Sequence, residues 1–317
     1  MAYKLSEKIV GGIVAAIRKI LSFFPLKVRY SFFENLGLLG YYLIKKRRKL
    51  TLDNIRQAFP EKSDEEVVRI AGYYLIKKRR LLAIDNIKNA FPEKNDKDIE
   101  KIAKESYKTM GKMIMTSIYL EEITSNGNTV IENEELMLKA CENNEKAVII
   151  VSLHLGGFEA GSIMRNIRKF YAVFRKQKNK KLNDLMTKWR EEGGLHSIPL
   201  RDSETLNDAL RNKTIIALAS DHHANDVEIE FFGRKAKAVS GPVLLGLKHK
   251  VPLVLAYAIF ENNTIKVVNK KILEIEKQEN LKATVKFNMQ KIFHEFEEII
   301  REYPEQYMWQ HKRWREE

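Results

Sequence analysis

The residues best suited to chemistry lie in Ser152-Leu-His154-Leu-Gly-Gly-Phe-Glu159, where a histidine leaves a short apolar run and a carboxylate follows five residues later. Histidine titrates near neutrality, so it can accept a proton from a hydroxyl and return it later in a reaction. Gly156 and Gly157 permit a tight turn that would bring Glu159 to one imidazole nitrogen and leave the other facing a substrate. A carboxylate in that position fixes the tautomer and stabilises the imidazolium once it forms. No protein nucleophile is then required, because an acceptor hydroxyl can serve. The pair alone leaves two alternatives open. One is a structural histidine at a strand end. The other is a metal site, which would need His222-His223 from far along the chain to complete it.

The elements around the pair indicate how it is held. Lys146-Ala-Val-Ile-Ile-Val-Ser-Leu153 is short, continuous and β-branched, as a strand buried on both faces should be. Further strands are expected at Tyr171–Phe174, Thr214–Ala219, Val251–Ala258 and Thr264–Val268, and helices at Leu182–Glu192, Glu204–Asn212, Gly241–His249 and Leu281–Tyr303. Alternating strands and helices predict an α/β fold with a mixed, largely parallel sheet and flanking helices. Sites in such sheets form at the carboxyl ends of strands, which is where His154 falls.

The N-terminal third is different. Gly40-Tyr-Tyr-Leu-Ile-Lys-Lys-Arg-Arg recurs as Gly72-Tyr-Tyr-Leu-Ile-Lys-Lys-Arg-Arg, and the copies continue through Asp53-Asn-Ile and Asp85-Asn-Ile to Ala58-Phe-Pro-Glu-Lys and Ala90-Phe-Pro-Glu-Lys, a spacing of 72 − 40 = 32 residues. Each copy reads as a helix, a Phe-Pro break and a second helix capped near Ser63 or Asn95. Two units are too few for a solenoid, so a single tandem duplication is the reading. Ahead of it, Ile9–Phe24 is apolar but interrupted by Arg18 and Lys19. That run is too short and too charged for a clean span and lacks a signal-peptide cleavage site. It fits a helix in the membrane interface or an ordinary amphipathic helix packed on the domain, and the second apolar run Phe32–Ile44 favours the membrane. The expected organisation is therefore membrane-associating helices over residues 1–39, the helical repeat over 40–103 and the catalytic α/β region over 104–317.

The single cysteine, Cys141, excludes an internal disulfide and a thiolate metal cluster. A formal net charge of +14 favours anionic partners without choosing among nucleic acid, lipid surface and acidic protein.

Four segments together resemble the bacterial lipid A late acyltransferases, the lauroyl and myristoyl transferases within the wider glycerolipid acyltransferase group. They are His154-Leu-Gly-Gly-Phe-Glu159; Arg175 in Val173-Phe-Arg-Lys; Asp221 leading to Phe231-Phe-Gly-Arg234 and Ser240-Gly-Pro242; and the tail Pro304-Glu-Gln-Tyr-Met-Trp-Gln-His-Lys-Arg-Trp314. The chain departs from that family at Gly157-Phe158, where Asn-Trp is common, and at His222, where Gln is frequent. The resemblance implies attack of a lipid hydroxyl on an acyl thioester, with His154 as general base and Glu159 as its partner. It further implies that Arg175 binds phosphate or polarises the thioester, and that Asp221, Phe232 and Gly233 shape the acceptor pocket. Acyl carrier protein would be the donor and a phosphorylated glycolipid the acceptor, at the cytoplasmic face of the inner membrane, with no cofactor, metal or nucleic acid required. Another acceptor (a lysophospholipid or a phosphatidylinositol mannoside) and a non-catalytic basic membrane-binding protein are the alternatives.

Overall fold

The computed structural model describes residues 3–43, 80–142, 144–262, 264–311 and 313–314. Most of the first repeat copy, with the hairpin expected there, and the opening of the second lie outside the described residues.

Two helices come first, α1 (Leu5–Leu21) and α2 (Leu26–Leu43), then a helix over 80–90 (α3), α4 (Asp96–Ile118) and the short α5 (Leu120–Ser125). Asn95 caps α4 by accepting the Asp98 N–H at 3.0 Å, as its place before an acidic first turn predicts. Gly37 of α2 and Gly111 of α4 let the two helices cross with backbones almost touching. A Cβ on Gly111 would sit 1.9 Å from the Phe33 carbonyl oxygen, so neither position admits a side chain without separating the helices.

The α/β region continues as β1 (Thr129–Glu132), α6 (Glu134–Cys141), β2 (Val148–Ser152), a 3₁₀ segment (Phe158–Asn166), β3 (Lys169–Phe174) and α7 (Lys180–Glu192). After these come β4 (Leu195–Pro199), α8 (Ser203–Arg211), β5 (Thr214–Ala219), the hairpin β6 (Val227–Phe231) and β7 (Arg234–Ala238), α9 (Gly241–His249), β8 (Leu253–Glu261), β9 (Thr264–Leu273), α10 (Leu281–Glu302) and a 3₁₀ turn at Pro304–Gln306. Seven strands form one sheet in the order β1-β9-β8-β2-β5-β3-β4, parallel throughout except for the β8–β9 pair. The expected largely parallel sheet is present, and the predicted helices in this half all occur.

Strand β2 is buried along its whole length and sends alternate side chains into two cores. Ile149, Val151 and Leu153 pack with α10 residues such as Phe293 and Phe296, while Val148 and Ile150 pack with Met115, Leu120 and Trp189. With β5 on one side and β8 on the other, β2 sits in the middle of the sheet. Its carboxyl end opens where strand order reverses, the usual place for a site in such a fold.

The second repeat copy belongs to the body of the protein, with Ala83, Ile87, Ala90, Phe91, Ile99 and Ala103 all in the core. Helix α1 lies along α7, with the Tyr3 hydroxyl donating to Asp184 at 2.6 Å and Arg18 pairing with Glu192 at 3.1 Å. No helix among the described residues is long and apolar enough to cross a membrane.

Candidate active site

The parallel register of β2 and β5 builds the site. Ser152 stands opposite Ala219, so the residues two positions further on, His154 and Asp221, emerge side by side at the same edge. Asp221 is buried, with 2% exposure, and its Oδ1 binds His154 twice: it accepts the backbone N–H at 3.1 Å and lies 2.7 Å from Nδ1. This contact makes Nδ1 the protonated nitrogen of the neutral ring. Nε2 has no hydrogen bond among the described residues, on a side chain that keeps some solvent access. Burial pushes the Asp221 carboxyl up, but His154, His222 and Arg313 outweigh it and hold the group below the usual carboxylate range.

The expected contact between His154 and Glu159 is absent, and this corrects the reading of the motif. After Gly156 and Gly157 the chain enters the 3₁₀ segment, which turns Glu159 inward. There Glu159, 5% exposed, is clamped by Arg190 of α7, with Nη2–Oε1 at 2.7 Å and Nε–Oε2 at 3.1 Å. Such a fork-to-fork pair uses both carboxylate oxygens. The Arg190 guanidinium also stacks 3.9 Å from the Phe174 ring centre. Glu159 therefore ties the His154 loop to α7, and Asp221 takes the place beside the imidazole that Glu159 was expected to fill.

The C-terminal tail completes the loop. Leu155 pairs with Tyr307 as an isolated antiparallel bridge, Gly156 N–H donates to the Gln306 carbonyl at 3.0 Å, and Met308 N–H donates to the His154 carbonyl at 3.1 Å. Gly156 is needed here, because its φ is +48° and a Cβ would lie 2.3 Å from the Ala258 carbonyl oxygen. Burial raises the Tyr307 hydroxyl well above its ordinary pKa, and the Asp221 charge beside it raises it further, so the hydroxyl stays protonated next to that carboxylate. The tail is itself anchored by Asn86 of α3, whose amide donates to the carbonyls of Trp309 and His311 at 2.8 and 3.0 Å.

The other expected site residues are spread more widely. Arg175 is exposed immediately after β3, two strands from β2 on the same sheet edge. Phe232 and Gly233 form the two-residue turn of the β6–β7 hairpin, both with positive φ, +53° and +67°. Phe232 is only 6% exposed and packs against Phe91 and Trp309, and its N–H donates to Glu297 at 2.7 Å. Its role is thus to fasten the hairpin to α10 and the tail, in place of the pocket wall expected for it.

His222 is a neighbour of His154 after all. With Asp221 the two histidines offer ligand atoms within 4.8 Å of one another. The two rings are parallel, however, and Asp221 is already hydrogen-bonded to Nδ1. Lone pairs in parallel planes do not converge on one ion, so this arrangement suits proton transfer. Sequence reasoning missed the roles of Arg190, Tyr307 and His222. The sequence signal is limited to Ser152-Leu-His154 and Ala219-Ser-Asp221 each leaving a strand end by two residues; that the two strands are neighbours comes from the register.

A buried carboxylate, an oriented imidazole and an open Nε2 make a general acid–base centre without a protein nucleophile. No curated protein sequence matches the chain. The profile of the bacterial lipid A biosynthesis acyltransferases matches residues 66–316, beginning beyond most of the first repeat copy and covering the sheet, the site and the tail. The match takes in well over half of the chain, which therefore belongs to the bacterial lipid A biosynthesis acyltransferase family.

Proposed function

We propose that this acyltransferase moves a fatty-acyl chain from an acyl thioester, carried by acyl carrier protein, to a hydroxyl of a lipid A precursor. The observation that carries the reading is the 2.7 Å contact of His154 Nδ1 with Asp221, which leaves Nε2 as the open proton acceptor. In the first step Nε2 takes the proton of the acceptor hydroxyl while that oxygen attacks the thioester carbonyl carbon. Asp221 stays ionised and stabilises the imidazolium. Collapse of the tetrahedral intermediate breaks the C–S bond, and His154 returns its proton to the departing thiolate. Arg175, exposed at the same edge, serves as the phosphate or thioester contact.

The reaction is placed at the cytoplasmic face of the inner membrane. Two apolar stripes at helical spacing support this: Leu5, Ile9, Ile13, Ile17 and Ile20 on α1, and Val28, Phe32, Leu36 and Leu39 on α2, all exposed. Phe23 and Phe24 lie exposed at the turn between them, and Lys8, Lys19 and Lys27 are exposed nearby. Apolar stripes flanked by lysines suit a helix pair resting in the headgroup layer of an anionic bilayer. The net charge of +14 also suits a phosphorylated glycolipid and an acidic carrier protein.

Incubating the protein with acyl carrier protein charged with a fatty acid and a tetra-acylated lipid A precursor tests the proposal. A penta-acylated product is expected. Gly157 and Phe158 stand where Asn and Trp are common in the family, so a lysophospholipid and a phosphatidylinositol mannoside belong in the same assay as alternative acceptors. Acylation of either one, with the lipid A precursor untouched, would shift the acceptor. Absence of transfer to all three would defeat the proposal.

A further inference from the structure

The loop after β5 delivers more than a carboxylate. His222 follows Asp221 directly, and its ring lies flat on that of His154, with centres 3.8 Å apart and planes within 4°. His311, from the tail, covers the other face of His222 at 3.9 Å and again within 4°. Phe158 meets the His154 ring edge-on at 5.1 Å. Three imidazoles from three separate segments are thus stacked, with the proposed base at one end.

Two protonated imidazoles cannot share this spacing, since like charges about 4 Å apart repel by roughly 4 kcal/mol even at an effective dielectric of about 20. Burial drives His222 toward its neutral form, and the adjoining His154, against the opposing pull of Asp221, leaves its pKa lowered to about 3. His222 is therefore neutral at neutral pH. Its Nε2 is buried without a hydrogen-bond partner among the described residues. What His222 offers His154 is its flat face.

A single hydrogen bond at Nδ1 fixes one atom of an imidazole but leaves the ring free to rock about it. A flat neighbour on the ring face removes that freedom. We infer that His222, backed by His311, is a positioning residue for acyl transfer: its stacked ring fixes the plane of His154, keeping Nδ1 on Asp221 and Nε2 turned toward the acceptor hydroxyl. Because Asp221 and His222 are consecutive, one loop supplies both the hydrogen bond and the plate. His311 couples that loop to the tail, which also holds the His154 carbonyl through Met308 N–H. The electron-rich face of a neutral ring additionally favours the imidazolium that forms during transfer.

The inference rests on the acyl-transfer reading of the site, and its test includes a readout independent of turnover. His222→Ala, His222→Phe and His311→Ala would be compared with the wild type for kcat and KM with acyl carrier protein and the lipid A precursor. In parallel, ¹H–¹⁵N spectra of histidine-labelled protein would follow the Nδ1 proton shared with Asp221. Loss of the plate should lower kcat by roughly 10- to 100-fold with KM little changed, the cost typical of a misaimed group. It should also broaden or abolish the Nδ1 proton signal. His222→Phe keeps a flat ring and should restore most of both, while His311→Ala should give a weaker, several-fold loss.

Wild-type kcat and an intact signal in His222→Ala would overturn the inference. So would a folded His222→Phe as impaired as His222→Ala, because the ring nitrogen would then be the working group. Should His222→Ala fail to fold, His222→Phe and His311→Ala decide, and wild-type behaviour of His311→Ala beside an inactive His222→Phe counts against the stack. If the wild type transfers no acyl group, the functional reading fails, yet loss of the Nδ1 signal in His222→Ala still reports on positioning.

Discussion

The segments that follow β2 and β5 each bury a carboxylate within reach of the same sheet edge, and they use it in opposite ways. Glu159 is five residues from His154 in sequence yet turns away, neutralised by a bidentate arginine from α7. Asp221 is 67 residues away, since 221 − 154 = 67, yet its Oδ1 binds both the backbone and the ring of His154. What decides is the parallel register, which places two strand ends level with each other. Chain proximity brings Glu159 near, but the 3₁₀ segment aims it elsewhere. One carboxylate is therefore spent on holding the loop and the other on the base.

The comparison predicts a graded series. His154→Ala removes the proposed base and should lower kcat by about 10³- to 10⁴-fold, as measured by product formation under saturating donor. Asp221→Asn keeps shape and burial but loses the negative charge that stabilises the imidazolium. Its kcat should fall by roughly 10²- to 10³-fold with KM little changed. This variant also tests the electrostatics. Asp221 is held below the usual carboxylate range, so its ionised form stabilises the fold above the ordinary carboxylate pKa of about 4. That contribution shrinks progressively as pH falls below about 4 and is gone once pH has dropped through the lowered folded-state value. Melting temperatures measured from neutral to strongly acidic pH should therefore show an acid-dependent loss in the wild type that is diminished in Asp221→Asn.

Glu159→Gln inverts the pattern. It leaves the partly buried Arg190 beside a neutral amide, and breaking a pair of this kind costs up to about 3–5 kcal/mol of stability. Denaturant unfolding should show that loss, whereas kcat per folded molecule should drop less than in Asp221→Asn. If Glu159→Gln were fully folded and as slow as His154→Ala, the assignment of the two carboxylates would have to be exchanged.

Much of this arrangement was legible before any coordinates. The apolar run at Lys146–Leu153 placed His154 at a strand end because β-branched residues buried on both faces leave little other choice. The helices at α7 to α10 were equally plain, with Asn179 and Asn280 capping α7 and α10 through the N–H groups of Leu182 and Ala283. Asp221 was recognised as a site residue but given the acceptor, because pairing between β2 and β5 is a nonlocal fact that no spacing encodes. The pocket role of Phe232 comes from the family resemblance alone, and the sequence leaves a core position equally open. Its burial depends on Phe91 and Trp309, which come from opposite ends of the chain. The His154–His222–His311 stack drew on three segments and had no local signature at all.

The smallest effect is expected from the largest change. The tail that holds the His154 loop is anchored by Asn86, and Ile87, Ala90 and Phe91 beside it are core residues, so the second repeat copy is built into the protein. The first copy carries the same residues at the same spacing: Asn54, Ile55, Ala58 and Phe59. Deleting residues 40–71 joins Leu39 to Gly72 and restores the sequence Gly-Tyr-Tyr-Leu with which α2 ends. Every described contact between the second copy and the tail survives that deletion. The excised enzyme should therefore keep wild-type thermal stability within a few degrees and kcat within about threefold, since the described contacts of the site are all made by residues outside 40–71. Deleting residues 72–103 instead leaves a chain in which Asn54 must take over from Asn86, and substitutions such as Ala83 by Thr51 then enter a fully buried position. That second deletion should fold but lose about 1–2 kcal/mol, the usual cost of an unmatched buried hydroxyl. Equal stability of the two deletions would mean that the copies are interchangeable, and collapse of the first would mean that residues 40–71 carry a structural duty of their own.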